Sequence, residues 1–214
     1  MTIVELENVS KSYGDKNVLN NLSFKIEEGT FNVIMGASGS GKSTILNIIG
    51  LLDKATSGDV ILFEQKNIRP FSMKAEQMLK NKIGYLFQNF ALIENETVAN
   101  NLKLALENVR GNKKEKISAA LKEVGLEGYE NKKIFKCSGG EQQRVAIARL
   151  LLKPCELILA DEPTGSLDIK NREIVVKLLK NMQEQGKTII IVSHDSFFEA
   201  IADNVIDLSN DVSR

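Results

Sequence analysis

The stretch Gly36-Ala37-Ser38-Gly39-Ser40-Gly41-Lys42-Ser43-Thr44 constrains this chain more than any other, because it sits between an apolar run, Phe31 to Met35, and an apolar helical stretch, Ile45 to Leu52. A strand that ends in glycines lets consecutive backbone N–H groups turn inward and ring a polyphosphate. The helix that follows adds its own unpaired N–H groups and the positive end of its dipole. In this spacing Lys42 reaches the β and γ phosphates and Ser43 offers a hydroxyl to Mg2+. A Gly/Ser linker would share the composition, but linkers are not wedged between two apolar elements.

Bulk properties narrow the class. A chain of 214 residues buries enough surface to fold without metal or disulfide staples. Its 28 Lys and Arg balance its 28 Asp and Glu, which gives no general basic field for holding nucleic acid. Cys137 and Cys155 lack metal-ligand spacing and suggest a reducing compartment. The start, Met1-Thr2-Ile3-Val4-Glu5, has neither the basic end nor the apolar core of a secretory signal. No apolar run approaches the roughly 20 residues of a membrane helix. A cytoplasmic location is expected.

Strand-length apolar runs alternate with helical patterns, which predicts α/β architecture with a largely parallel sheet. The predicted strands are Ile3 to Val9, Leu22 to Ile26, Phe31 to Met35, Val60 to Phe63, Ile83 to Phe87, Leu157 to Ala160, Thr188 to Val192 and Val205 to Leu208. The early ones have no helices between them, so an antiparallel piece is expected there. Between Gln88 and Phe135 the pattern turns helical, with Leu102, Leu106, Ile117, Ala120, Leu121 and Val124 at three- and four-residue spacing. This predicts a helical insert.

The second half decides which phosphate-loop chemistry is meant. A guanine-reading motif is missing; its nearest approach is Asn112-Lys113-Lys114-Glu115. At Leu157-Ile158-Leu159-Ala160-Asp161-Glu162 an apolar strand delivers two carboxylates at its carboxyl end, where parallel sheets bind ligands. Adjacent strand residues face opposite ways, so the two acids are expected to have separate tasks. Asp161 is placed to hold Mg2+ beside Ser43, and Glu162 to polarise an attacking water. Ser138-Gly139-Gly140-Glu141 reads as a capping box before an amphipathic helix. Its glycine pair adds bare N–H groups that a cap does not need, and so a second anion site. Two phosphate-seeking helix ends in one chain suggest that each serves a nucleotide held by a partner subunit.

The set Gly36 to Ser43, Gln88, Ser138-Gly139-Gly140-Glu141-Gln142-Gln143-Arg144, Leu157 to Glu162, Ser166-Leu167-Asp168 and His194 resembles the nucleotide-binding subunit of an ABC transporter, in order and over nearly the whole chain. Asp161 to Asp168, with Ile83 to Phe90, is similar to the macrolide-exporter and lipoprotein-releasing branch, which includes bacteriocin-export ATPases. The resemblance implies a P-loop NTPase core with a mostly parallel sheet, an N-terminal antiparallel β piece and a helical subdomain insert. It implies one ABC ATPase domain over 1–214, with 1–88 and 156–214 as nucleotide-binding core and about 89–155 as the helical subdomain. Two subunits would sandwich two ATP molecules with Mg2+. Each ATP would lie between one subunit's Gly36 to Thr44 and the other's Ser138, Gly139, Gly140 and Glu141.

By the same resemblance Tyr13 stacks on adenine, Gln88 and Asp161 serve the metal with Ser43, and His194 contacts the γ-phosphate. Glu162 orients or deprotonates the water, Lys42 neutralises charge, and Ser166, Leu167 and Asp168 form a loop crossing the dimer interface. Asp168 is also expected to cap the helix through Ile174, Leu178 and Met182. A homodimer in the ATP-bound state would drive a separate transmembrane permease, in an export system, from the cytoplasmic face of the membrane. No nucleic-acid partner is expected. The rival readings are a soluble ABC-type ATPase remodelling nucleic acid or ribosomes, and a mechanical regulator of a membrane complex. The sequence departs from the family pattern at Cys137, where leucine is usual, at Glu141, where glutamine is commoner, and in lacking proline within Lys132 to Lys136.

Overall fold

Side-chain alternation along two fully buried strands organises the molecule. The computed structural model describes residues 1–107, 109–165 and 167–208. In chain order, β1 (Thr2–Tyr13) and β2 (Lys16–Glu27) form a long hairpin, and β3 (Phe31–Met35) leads into α1 (Lys42–Ile49). Next come β4 (Ser57–Leu62), β5 (Gln65–Lys66), α2 (Met73–Asn81) and β6 (Ile83–Leu86). Helices α3 (Val98–Ala105), α4 (Lys113–Glu123) and α5 (Gly139–Leu152) then precede β7 (Leu157–Asp161), α6 (Ile169–Glu184), β8 (Thr188–Val192) and β9 (Asn204–Asp207).

These strands make two sheets. The antiparallel one runs β2-β1-β4-β5, and the parallel one runs β6-β7-β8-β3-β9. Every residue of β3 and β8 is buried, as the continuous apolar runs require of strands covered on both faces. Phe31, Val33, Ile189 and Ile191 join one core with residues of α3 to α6. Ile34, Ile190 and Val192 join a second core with α1, α2 and the antiparallel sheet. Asn32, buried in the middle of β3, donates to the Ile189 carbonyl at 3.1 Å and to Thr30, so its amide does not break the core. Helices α3 and α4 pack on α5, with Asn101 tying the entry loop of α3 through the backbone of Ile93 and Thr97.

The bounds expected for β3 and β8 are those observed, and the early antiparallel piece is present. The hairpin is longer than its apolar stretches, because exposed polar residues extend each strand beyond the buried ones. Helix α2 buries only Ala75 and Met78 fully; the cap from Ser72 to the Ala75 N–H starts it.

The central β1–β4 pair of the antiparallel sheet carries one strict backbone requirement. The β1–β4 register shifts between Glu7 and Ser10, Asn8 takes a positive φ of 52°, and Gly58 opposite sits at φ 84°. A Cβ on Gly58 would lie 2.3 Å from the Asn8 carbonyl oxygen. Gly58→Ala must therefore open the bulge, and we expect a loss of about 2–4 kcal/mol, read as a lower urea midpoint at unchanged m-value.

Candidate functional site

The carboxyl ends of the parallel strands lie level. Ile34 pairs with Val192, and Val192 with Asp161, so the residues that follow each strand emerge side by side. After β3 the chain turns through residues 36–41 into α1. Gly41 takes a left-handed φ of 92°, and a Cβ there would meet the Leu19 side chain at 2.6 Å, so the turn into α1 demands glycine.

Lys42 is only 8% exposed, and its ammonium donates to the carbonyls of Gly36 (2.7 Å) and Ala37 (3.0 Å). The cation is thus held inside the loop it would share with phosphate. The Ser40 hydroxyl is buried there and, among the described residues, has no hydrogen-bond partner, which suits a loop built to receive acceptor oxygens. Ser43 donates to Asp161 Oδ1 at 3.2 Å. Burial pushes the Asp161 carboxyl up, the Ser43 bond draws it down, Glu162 raises it and Lys42 lowers it. A bound cation would favour the charged form. Hydroxyl and carboxylate oxygens are the donors Mg2+ prefers. Among the described residues no cluster of three His, Cys, Asp or Glu surrounds the position, so a metal would rest on few protein oxygens and the phosphates.

The two acids at the end of β7 do diverge. Asp161 faces Ser43, whereas Glu162, at φ 44°, turns toward the end of β8. Its N–H donates to the Val192 carbonyl at 3.0 Å. Its carboxylate accepts from Ser193 Oγ at 3.2 Å and meets His194 Nδ1 at 2.9 Å. A positive φ at a non-glycine residue is uncommon, and here three partners from one segment hold it.

Tyr13, Ser38, Gly39, Gly41, Lys42, Ser43, Thr44, Gln88, Glu162 and His194 line one cleft of about 720 Å³. Gly36, Ala37 and Ser40 form the loop behind it. Lys16, Val18 and Gly165 line it as well and were not anticipated. The pairing of Lys16 with Tyr13 across a two-residue turn is the signal that would have found Lys16.

The signature segment of the family pattern, Ser138 to Glu141, lies outside this cleft. Ser138 caps α5 through the Glu141 N–H, and Glu141 caps the Ser138 N–H, completing the expected box. The position of a Cβ on Gly139 is open, whereas one on Gly140 would meet the Asn171 side chain at 2.7 Å. Gly140 therefore serves packing as well as bare N–H groups. Asn171 in turn receives Arg144 and donates to Asp168, which caps α6 through the Asn171 N–H at 2.8 Å. One side chain thus ties the signature helix to the loop at Leu167 and Asp168; Ser166 lies outside the described residues. Cys137 is 7% exposed, and burial raises its thiol pKa, which disfavours the thiolate.

A family model described as ABC transporter matches residues 19–165. The chain belongs to the ABC transporter family. This cassette is 39% identical over 98% of its length to the macrolide export ATP-binding/permease protein MacB of Mannheimia succiniciproducens, covering 34% of that protein. It is 43% identical over 90% of its length to the spermidine/putrescine import ATP-binding protein PotA of Mycoplasma capricolum, covering 54% of it. The chain thus spans between a third and just over half the length of these relatives. A dimeric ATP-binding cassette in a post-hydrolysis state with ADP and Pi superposes with a TM-score of 0.88 at 40% identity, covering 97% of this chain and 95% of that one. The cassette cbiO1 of Clostridium perfringens gives 0.82 at 29%, covering 96% and 84%.

The Glu141 carboxylate accepts from Tyr129, Lys132 and the Ser138 N–H, each at 2.8 Å. Burial alone would raise its pKa, but these three bonds outweigh it and bring it to about 2. A depressed carboxylate stabilises the fold fully above its ordinary pKa of 4.5 and loses that contribution as pH falls toward 2. Glu141→Gln should cost about 1–2 kcal/mol at neutral pH after solvent screening. In urea melts the gap from wild type should hold from about pH 7 to about pH 5 and narrow only below about pH 4.5, toward about pH 3.

Proposed function

We propose that this chain is the ATP-hydrolysing subunit of a transporter, working as a homodimer on a separate membrane permease. The observation that carries the reading is the single cleft in which Lys42, the Ser43–Asp161 pair, and Glu162 held by Ser193 and His194 converge. Tyr13 would stack on the base. Loop N–H groups and Lys42 would hold the phosphates, the ammonium exchanging the Gly36 and Ala37 carbonyls for phosphate oxygens. Ser43, Asp161 and Gln88 would hold Mg2+, which when bound supplies neutralising charge to the β and γ phosphates. Glu162 would orient the attacking water and take its proton. His194, already beside that carboxylate, would reach the γ-phosphate.

A dimer follows from the segregation of the two glycine-bearing segments. Ser138 and Gly139 sit exposed at the start of α5, away from the cleft of their own subunit, and would cover the nucleotide of a second copy. The dimeric relative bound to ADP and Pi supports this arrangement. Asp168, with Leu167 and Ser166, would cross the same interface.

No helix among the described residues is long and apolar enough to cross a membrane. A groove of about 440 Å³ next to Gln88, lined by Tyr85, Phe87, Leu104, Val109 and Arg149, offers the permease an apolar seat. Export is the direction we favour, because the match to MacB spans nearly the whole chain.

Glu162→Gln should retain ATP and accumulate as a dimer in size-exclusion chromatography while turnover falls by about 10²-fold or more. A variant hydrolysing at the wild-type rate would remove Glu162 from the chemistry. Lys42→Ala should abolish measurable ATP binding in calorimetry; unchanged affinity would argue against the phosphate cradle.

A further inference from the structure

Tyr13 is half exposed at the tip of a hairpin, yet its ring is held at its far end. The hydroxyl donates to Asp53 Oδ2 at 2.5 Å. Asp53 lies in the loop after α1, forty residues away in sequence. That carboxylate is itself fixed: Lys11 donates to Oδ1 at 2.7 Å, and the Lys54 N–H donates to the same oxygen at 2.7 Å. Lys11 is 6% exposed, a buried cation whose remaining partner is the Lys54 carbonyl at 2.9 Å. Its ammonium lies over the Tyr13 ring, 4.5 Å from the centroid. Residues 11 and 13 share one face of β1, so strand periodicity stacks the cation and the ring.

We propose that Asp53 is the positioning residue for Tyr13, latching the base-stacking ring to the helix that carries the phosphate cradle; the proposal rests on Tyr13 stacking adenine. The physical case is one of preorganisation. A half-exposed tyrosine on a hairpin tip samples several rotamers, and binding a base must freeze them. Tied at its hydroxyl to the loop that follows α1, the ring keeps a set distance from Lys42 and Ser43. That spacing would match one base joined to one triphosphate through one ribose. The buried Lys11 ammonium has two consequences. It holds the Asp53 carboxylate charged against burial, and it covers one ring face, leaving the other for the base.

The test compares ATP with inorganic tripolyphosphate, which fills the cradle without a base, by calorimetry on the full chain. Tyr13→Ala tests the stacking reading itself: ATP should weaken and tripolyphosphate should not. Asp53→Asn and Tyr13→Phe test the latch. Each should weaken ATP about three- to tenfold while leaving tripolyphosphate affinity unchanged. The double variant should be no worse than either single one, because both cut the same bond. Tyr13→Phe leaves the Lys11–Asp53 pair intact, so its effect cannot come from a stranded buried lysine. If Tyr13→Ala weakens ATP selectively while Asp53→Asn and Tyr13→Phe bind it normally, the latch is overturned and stacking stands. If Tyr13→Ala binds ATP normally, the stacking reading falls and the latch with it. Equal loss of ATP and tripolyphosphate in Asp53→Asn would make Asp53 a prop of the fold, and would likewise overturn the proposal.

Discussion

The register of the parallel sheet is the constraint on which the site depends. With Ile34 opposite Val192 and Val192 opposite Asp161, the ends of β3, β7 and β8 finish at one height. The turn after each strand then has only its neighbours to bond with. The Glu162 N–H takes the Val192 carbonyl, the Ser193 N–H takes the Ile34 carbonyl, and Ser193 Oγ reaches Glu162. A slip of one residue in β7 or β8 would exchange side chains between the two cores and disrupt the packing of both, so close packing enforces a register that polar chemistry uses.

Upon this frame the structure separates two kinds of contact. Within the cleft, groups are paired to one another in ways that a triphosphate would rearrange: Lys42 with loop carbonyls, Ser43 with Asp161, Glu162 with His194. Around the signature segment the polar groups are engaged in fixed ties instead. Glu141 is taken up by Tyr129, Lys132 and its own cap, and Asn171 joins Arg144 to Asp168. The first set is suited to exchanging partners and the second to moving as a rigid edge. That contrast fits a protein whose cleft is completed by the edge of another copy.

Much of this was legible beforehand where the signal is local. The phosphate loop declares itself by spacing, the capping box of α5 by Ser138 and Glu141, and the buried strands β3 and β8 by unbroken apolar runs. The divergence of Asp161 and Glu162 was expected from strand alternation, but β7 ends at Asp161 and the positive φ of Glu162 sets the direction of the second acid. Other features had no local signature. Gly140 read as an anion-binding glycine, and only the fold shows that its Cβ position is also filled by Asn171. Lys16 and Val18 entered the cleft through the hairpin's register.

By itself, the sequence determined the chemistry available and the family: a glycine-lined cradle, a strand-end pair of acids, a capped second helix and their order along the chain. Short-range spacing specifies each, because backbone turns and helix caps act within a few residues. The tertiary structure decided which of these groups meet. Tyr13 with Asp53, Glu162 with Ser193 and Gly140 with Asn171 are each about thirty to forty residues apart in the chain, brought together only when the two cores close around the sheet. Such contacts arise from the burial of apolar faces remote from them, and no motif along the chain records that.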